Sequence, residues 1–385
     1  MTRVSRGLLV ALAALGALAA GTGLSLLFSI DNRAPPNRML KSALGTAATP
    51  AARAKPKPNR QTPAAIAARL PAPQLIAQLF VVGVHGATAS RGTLASLRRR
   101  GWGGVVLTPA NWAGPRFTKR LTAKRGAAAR ATNRLPPLVG VSADLPGIAL
   151  PHGTPAAGAR RQAASVGRVL RAAGVNLALA PAADVGTPGG PLEAQAVANT
   201  PGAVTHVVVA ALRGFRRADT IAAVGHFPGQ GSAAGNPETE PAPVGQSLAD
   251  LRARDLRPFA AVARTAPVVV ASNAIYAAFD GATPAVLLPE ALTGLLRQRM
   301  GFRGVVMSDD LLAASTTNHA DVGATAVGAL RAGVDLLYLP GGASTQERAY
   351  EAVMAAWSHG EISTARLRAS AERVIALKRT YHVLH

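Results

Sequence analysis

The 385-residue chain is 49% hydrophobic, ample for a sizeable core, but only 4% aromatic, so Ala, Val and Leu must fill that core. It has no cysteine, which excludes disulfides, thiolate metal sites, a cysteine nucleophile and a lipidated N-terminal cysteine. The formal charge of +23 raises the question of nucleic acid or an anionic surface, yet no zinc finger, RNA-binding signature or interleaved aromatic platform appears, and the arginines of "SLRRRG" and "LRGFRRAD" read as a solvated helical surface.

The chain opens with a short basic segment, "MTRVSRG", followed by 23 uncharged residues from Leu8 to Ile30. A helix of that length spans about 34 Å, enough to cross a bilayer core. Residues 1–30 are therefore expected to be a membrane anchor that exports the rest of the chain. The alternative is a signal cleaved near "ALA" at 17–19, but the apolar run continues well past that point. Arg3 and Arg6 place the N-terminus inside, whereas Arg33, Arg38 and Lys41 on the other flank oppose them. Residues 31–72, rich in Pro, Ala and basic residues and without apolar periodicity, read as a disordered or semi-extended linker.

From residue 73 the pattern changes. Continuous Val/Leu/Ile runs predict strands at 79–84, 103–107, 137–141, 175–181, 221–225, 267–272, 304–308 and 334–340. Unbroken apolar runs suit strands buried on both faces, as in a parallel sheet. Amphipathic helices lie between them. In "SLADLRARDLRPFAAVAR" Ser247 is placed to cap, Asp250 sits three residues later, and Pro258 should bend the helix. Two more amphipathic helices, "STQERAYEAVMAAWSHG" and "STARLRASAERVIALKRTY", close the chain. Eight strand–helix units over residues 73–385 predict a TIM-type (β/α)8 barrel. A doubly wound open sheet is the alternative, but the first turn, "GVHGATASRG", carries no G-x-G-x-x-G.

In such a barrel chemistry collects at the C-terminal ends of the strands. Those ends carry His85, Asn111, Ser142 with Asp144, Asp184, His226, Asn273, Asp309 with Asp310, and Pro340 with Gly341. His85, His226 and His319 are scattered and no paired His spacing occurs on one helix, so no metal site is expected, and no cofactor. "HFPGQG" after strand five, "GFRGVVMSDDL" around strand seven, "QLFVVGV", "LALAPAADV" and "AGVDLLYLPG" together resemble glycoside hydrolase family 3. The resemblance is to its bacterial β-N-acetylhexosaminidases with a lone catalytic barrel, and it covers roughly residues 73–385.

The resemblance implies retaining hydrolysis of a β-linked sugar, through a glycosyl-enzyme formed on one carboxylate while a second group handles the leaving-group proton. By that resemblance Asp309 is the nucleophile, and Asp310 caps or supports the following helix. The family's acid/base, a His held by an Asp in an Asp-Ser-His loop, falls here on Asn236, Pro237 and Glu238. Glu238 is the candidate replacement; the other reading makes Glu238 and Glu240 solvated loop acids. His226 keeps its position, whereas the family's Lys is Gly225 and its second motif His is Gln230. Asp144 holds the position of a Glu, Ser142 that of an Asp and Gly147 that of an Arg; Gln195 aligns loosely with a further Arg, and Asn273 replaces a His. His226, Asp144, Gln195 and Asn273 are the candidate sugar-binding residues. The expectation is a membrane-anchored, extracytoplasmic, monomeric hydrolase that acts on carbohydrate, with no nucleic-acid partner. A catalytically inactive barrel that binds cell-wall glycan or a protein partner is the alternative.

Overall fold

The structure, a computed structural model, describes residues 61–84, 91–112, 114, 118–119, 123, 135–317 and 319–384. The expected anchor at 1–30, most of the expected linker, and His85 lie outside these residues. Among the described residues no helix is long and apolar enough to cross a membrane.

Eight parallel strands close into a barrel: β1 (Phe80–Gly83), β2 (Gly104–Leu107), β3 (Leu138–Val141), β4 (Leu177–Ala178), β5 (Ile221–Phe227), β6 (Val268–Ala271), β7 (Val305–Asp310) and β8 (Leu336–Leu339). Each strand pairs with its neighbours in sequence, and β1 closes the ring against β8 through Phe80↔Leu337 and Val81↔Tyr338. All eight coincide with an expected apolar run. They were visible because both faces are covered: nearly every strand residue is buried, against the lumen on one side and the helices on the other.

Two cores result. The outer core lies between strands and helices. The inner one fills the lumen with Val81, Val106, Leu138, Ile221, Val268 and Met307, and is shared by Val374, Leu377 and Tyr381 from the last helix, α11 (Thr364–Thr380), and the residue after it. Thus α11 plugs the end of the barrel where the strands begin. Buried polar groups fasten the plug. Asp335, just ahead of β8, meets Arg297, Arg366 at 3.5 Å and Arg373 at 3.1 Å, and accepts from Ser370 Oγ at 2.6 Å. Lys378 Nζ donates to Gln78 Oε1 at 2.7 Å inside the protein, and burial pushes its amine down to about 7.

Helices that belong to the barrel are already present ahead of residue 73. Thr62 caps helix α1 (Pro63–Arg69) by accepting from Ala65 N at 3.2 Å, and Pro63 supplies the preset first helical position. Helix α2 (Ala72–Ala77) follows, with Leu75, Ile76 and Ala77 buried. Residues 63–72, read as linker for their Pro/Ala content, therefore belong to the barrel; α1 packs on α11.

Among the described residues the other α-helices include α3 (Arg91–Arg100), α4 (Ala156–Ala172), α5 (Pro201–Arg217), α6 (Leu248–Ala253), α7 (Leu256–Val262), α8 (Leu311–Thr317), α9 (Val322–Ala332) and α10 (Ala343–Ser358), with a π-helical segment at Glu290–Arg299. The stretch expected to be one bent helix is two. Ser247 and Asp250 form the expected capping box of α6, but the chain breaks at Arg254 (φ −121°, ψ −78°). Pro258 is the cause: it cannot donate to the carbonyl four residues back, Arg254, and its ring collides with that carbonyl.

Candidate active site

The break at Arg254 has a use at the strand ends. Arg254, whose backbone N–H still closes the last turn of α6 on the Asp250 carbonyl, donates from Nη2 to the carbonyls of Val185 (3.0 Å) and Gly186 (2.7 Å), while Nη1 holds the fully buried Asp255 at 3.0 Å. This pins the loop leaving β4. The turn leaving β5 packs on both: Gly229 (φ +118°) sits against Asp255, and a Cβ on Gly231 would stand 2.0 Å from the Val185 carbonyl. The glycines of "HFPGQG" are thus fixed by close backbone contact and one left-handed conformation.

This clamp brings Asp184 beneath the β5 exit. Its Oδ1 accepts from the backbone N–H groups of His226 (3.2 Å) and Gln230 (2.8 Å), and its Oδ2 lies 2.8 Å from His226 Nδ1. His226 Nε2 then points at Asp309 Oδ2, 3.8 Å away, from the end of β7. Asp309 Oδ1 accepts from the Asp310 N–H at 2.9 Å; Oδ2 is buried and accepts no hydrogen bond. The result is a carboxylate–imidazole–carboxylate line across the mouth of the barrel. Burial lowers the proton affinity of His226, but Asp184 and Asp309 on either side raise it by more, to about 10. An imidazolium therefore stands between two carboxylates.

Asp310 performs the helix-supporting role expected of it. Its Oδ1 accepts from Leu312 N (2.7 Å) and Ala313 N (3.2 Å) at the start of α8, and burial pushes its carboxyl up to about 6.

Glu238 lies in the loop after β5. Asn236 builds the local turn, with its Oδ1 accepting from Glu238 N at 3.1 Å and its carbonyl accepting from Glu240 N at 3.0 Å. The loop is tied down by Ala234 N to the Pro243 carbonyl and by Ser232 Oγ to Gln246 Oε1, each at 3.0 Å. The Glu238 residue is exposed at the rim. Its carboxyl is nevertheless held above the usual range, by the desolvation of the surrounding loop first and by the charge of Asp309 second, with His226 opposing. Its carboxyl thus feels the charges of both Asp309 and His226. Glu240 instead turns back, its Oε1 accepting from Asn236 N at 3.3 Å.

The other expected sugar-binding residues fare differently. Asp144 is exposed at the β3 exit, accepts from Ser142 Oγ at 2.6 Å, and adds its charge to the field at Glu238. Asn273 is fully buried and its Nδ2 donates to the Asp310 carbonyl at 2.8 Å, so it braces the β7 exit; its Oδ1 is left unpaired. Gln195 ends a short turn, Glu193–Gln195, exposed and outside the hydrogen bonds that join the cluster; in that loop it is Glu193 that binds, to Gly189 N and Asn199 Nδ2. Gln230 is buried, with its Oε1 accepting from Ser272 Oγ at 2.8 Å. Asp184 was recognisable only as a strand-end carboxylate in "LALAPAADV"; its partner lies 42 residues away, and no spacing rule joins them.

Residues 145–377, most of the barrel just described, match the Glycosyl hydrolase family 3 N terminal domain. The chain belongs to glycosyl hydrolase family 3. A Beta-hexosaminidase of Methylococcus capsulatus is 38% identical over 170 residues, covering 44% of this chain and 51% of the relative. One from Stenotrophomonas maltophilia is 33% identical over 180 residues, 46% of this chain and 53% of its own. The chain spans about half the length of the curated relatives it matches. Among solved structures, a family 3 β-N-acetylglucosaminidase from a Paenibacillus species superposes with a TM-score of 0.75 at 28% identity, covering 82% of this chain and 63% of that one. A β-N-acetylhexosaminidase from Beutenbergia cavernae gives 0.72 at 28% identity, covering 80% of this chain and 99% of that one.

Proposed function

We propose that this family 3 chain is a retaining β-N-acetylhexosaminidase-like hydrolase with Asp309 as nucleophile and Glu238 as acid/base, displayed outside the membrane by an N-terminal anchor. The observation that carries the reading is Asp309 Oδ2: a buried carboxylate oxygen with no hydrogen bond, at a strand exit, 3.8 Å from a histidine that is itself held by Asp184. A buried acceptor left open costs free energy, and at Asp309, unlike Asn273, the open oxygen is a carboxylate's and faces the His226 imidazole at the strand exits.

In the first step Asp309 forms a bond to the anomeric carbon as the glycosidic C–O bond breaks, and protonated Glu238 gives its proton to the leaving oxygen. In the second, Glu238 takes a proton from water, which displaces Asp309 and restores both carboxyls. The elevated proton affinity of Glu238 suits the donor role. The His226 imidazolium steadies Asp309 when its charge returns. Cell-wall glycan is the substrate class that an extracytoplasmic β-N-acetylhexosaminidase would meet.

The test is turnover of aryl β-glycosides and muropeptide-derived sugars by the full chain beside Asp309→Asn and Glu238→Gln. Turnover that vanishes in Asp309→Asn supports the reading; a wild-type protein no faster than Asp309→Asn on every substrate ends it. The second reading, a glycan-binding barrel without turnover, is favoured by the buried, internally bonded Gln230 and Asn273, which stand where the family resemblance implies sugar-facing histidines. It predicts saturable glycan binding that Asp309→Asn leaves intact, with no hydrolysis by either protein.

A further inference from the structure

The structure gathers arginines that look dispersed in the sequence. Arg160, Arg161 and Arg168 of α4 and Arg213, Arg216 and Arg217 of α5 line one open groove of about 850 Å³. The two helices lie side by side because Gly214 approaches the Arg160 carbonyl and Gly167 approaches Ala218, leaving no room for larger residues. All six arginines are exposed, and among the described residues none is in an ion pair. The nearby acid Asp219 is taken by Arg171 at 2.8 Å. Like charges assembled without counter-charges cost free energy unless a polyanion covers them.

The groove has a direction. Arg213 and Arg216 also line a hollow with Thr220, Pro267 and Tyr381. Thr220 and Pro267 immediately precede β5 and β6, so the basic band runs to the end of the barrel opposite Asp309 and Glu238. Arg379 of the plugging helix donates to the Gln61 carbonyl at that same end. The described chain therefore begins there, and the apolar stretch Leu8–Ile30 precedes that point by about thirty residues. Within the band Val169 is 48% exposed, an apolar side chain among arginines. No aromatic residue lines the arginine groove, so the stacking that holds single-stranded nucleic acid is missing.

We propose that the α4/α5 arginine groove is a docking surface for the anionic headgroups of a lipid bilayer, which holds the barrel against the membrane with its catalytic mouth facing away. Arginine guanidinium groups pair with lipid phosphates in bidentate fashion, and Val169 meets the headgroup boundary.

The experiment reconstitutes the full chain into phosphatidylcholine vesicles with and without phosphatidylglycerol. It follows amide hydrogen exchange over 156–172 and 201–217 as salt is raised. Protection of these two helices in the anionic vesicles only, lost at high salt, is the expected result. Each arginine near an anionic surface contributes about fivefold to association, so replacing Arg160, Arg168, Arg213 and Arg217 together by Gln should lower the docked population on the order of a hundredfold or more. The same exchange in both vesicle types, or in wild type and variant, overturns the proposal. So does protection by added double-stranded DNA or an anionic wall polymer where phosphatidylglycerol gives none.

Discussion

Replacing Asp184 by Asn tests the line Asp184–His226–Asp309 directly. The side chain keeps its shape but loses its charge, so the force that raises His226 to about 10 loses its largest favourable part, while burial continues to lower it. The shift from 6.5 to about 10 corresponds to roughly 4–5 kcal/mol at 1.36 kcal/mol per unit, an upper figure because the two carboxylates share it. His226 is 26% exposed, so the charge is only partly screened. Linkage gives the sign. The folded protein holds the proton more tightly than the unfolded chain, so the contribution is complete below pH 6.5 and falls away as pH rises to about 10. The imidazole proton resonance of His226 is the assay, together with urea midpoints at pH 6 and pH 10. Wild type should show no titration of His226 between pH 6 and 8, and Asp184→Asn should bring it to or below the ordinary histidine value. The stability gap between the two proteins should be several kcal/mol at pH 6 and much smaller at pH 10. A wild-type His226 that titrates near 6.5, or a variant that titrates like wild type, would refute the reasoning.

Glu238→Gln should slow hydrolysis of poor leaving groups by about 10²–10⁴-fold and spare activated aryl glycosides. In wild type the alkaline limb of kcat/KM should lie above the ordinary glutamate value, because the donor must be protonated and activity declines as pH rises through its elevated pKa; a limb at an unshifted glutamate value counts against Glu238. Arg254→Ala should destabilise by about 3–5 kcal/mol in thermal or urea unfolding, since it strands the buried Asp255 and frees the Val185 and Gly186 carbonyls. Lys378→Met should stabilise at neutral pH by about 1–3 kcal/mol. It should also remove the rise in stability expected between pH 7 and 10.4, where the unfolded amine is charged and the folded one is not.

The barrel was legible because its strands are apolar on both faces, a signal that survives without an alignment. Asp309 and His226 were legible as polar residues that end such runs. What escaped was long-range. Asp184 acquires its role from a partner on another strand, and the arginines of α4 and α5 become a patch only when Gly167 and Gly214 let the helices meet. Local chemistry misled twice. Pro and Ala around residue 63 suggested a linker, although Thr62–Pro63 is a sound helix start once α11 offers a surface. Pro258 was expected to bend a helix and broke it, because its missing N–H and its ring interrupt the ladder at the Arg254 carbonyl, while the Arg254 guanidinium ties the break to the β4 loop. Asn273 was a sugar-binding candidate because the family resemblance puts a histidine at its place; its side chain instead donates to the Asp310 carbonyl.

The ring closes between β1 and β8, and the lumen is sealed by Val374, Leu377 and Tyr381 near the C-terminus. A growing polypeptide cannot complete either feature until β8 and α11 have been synthesised. Before then β1 has one partner edge unfilled and the inner residues have no floor. Folding of this barrel is thereby deferred until α11 has been made, so a nascent chain that lacks this helix exposes both an open sheet edge and an unsealed lumen.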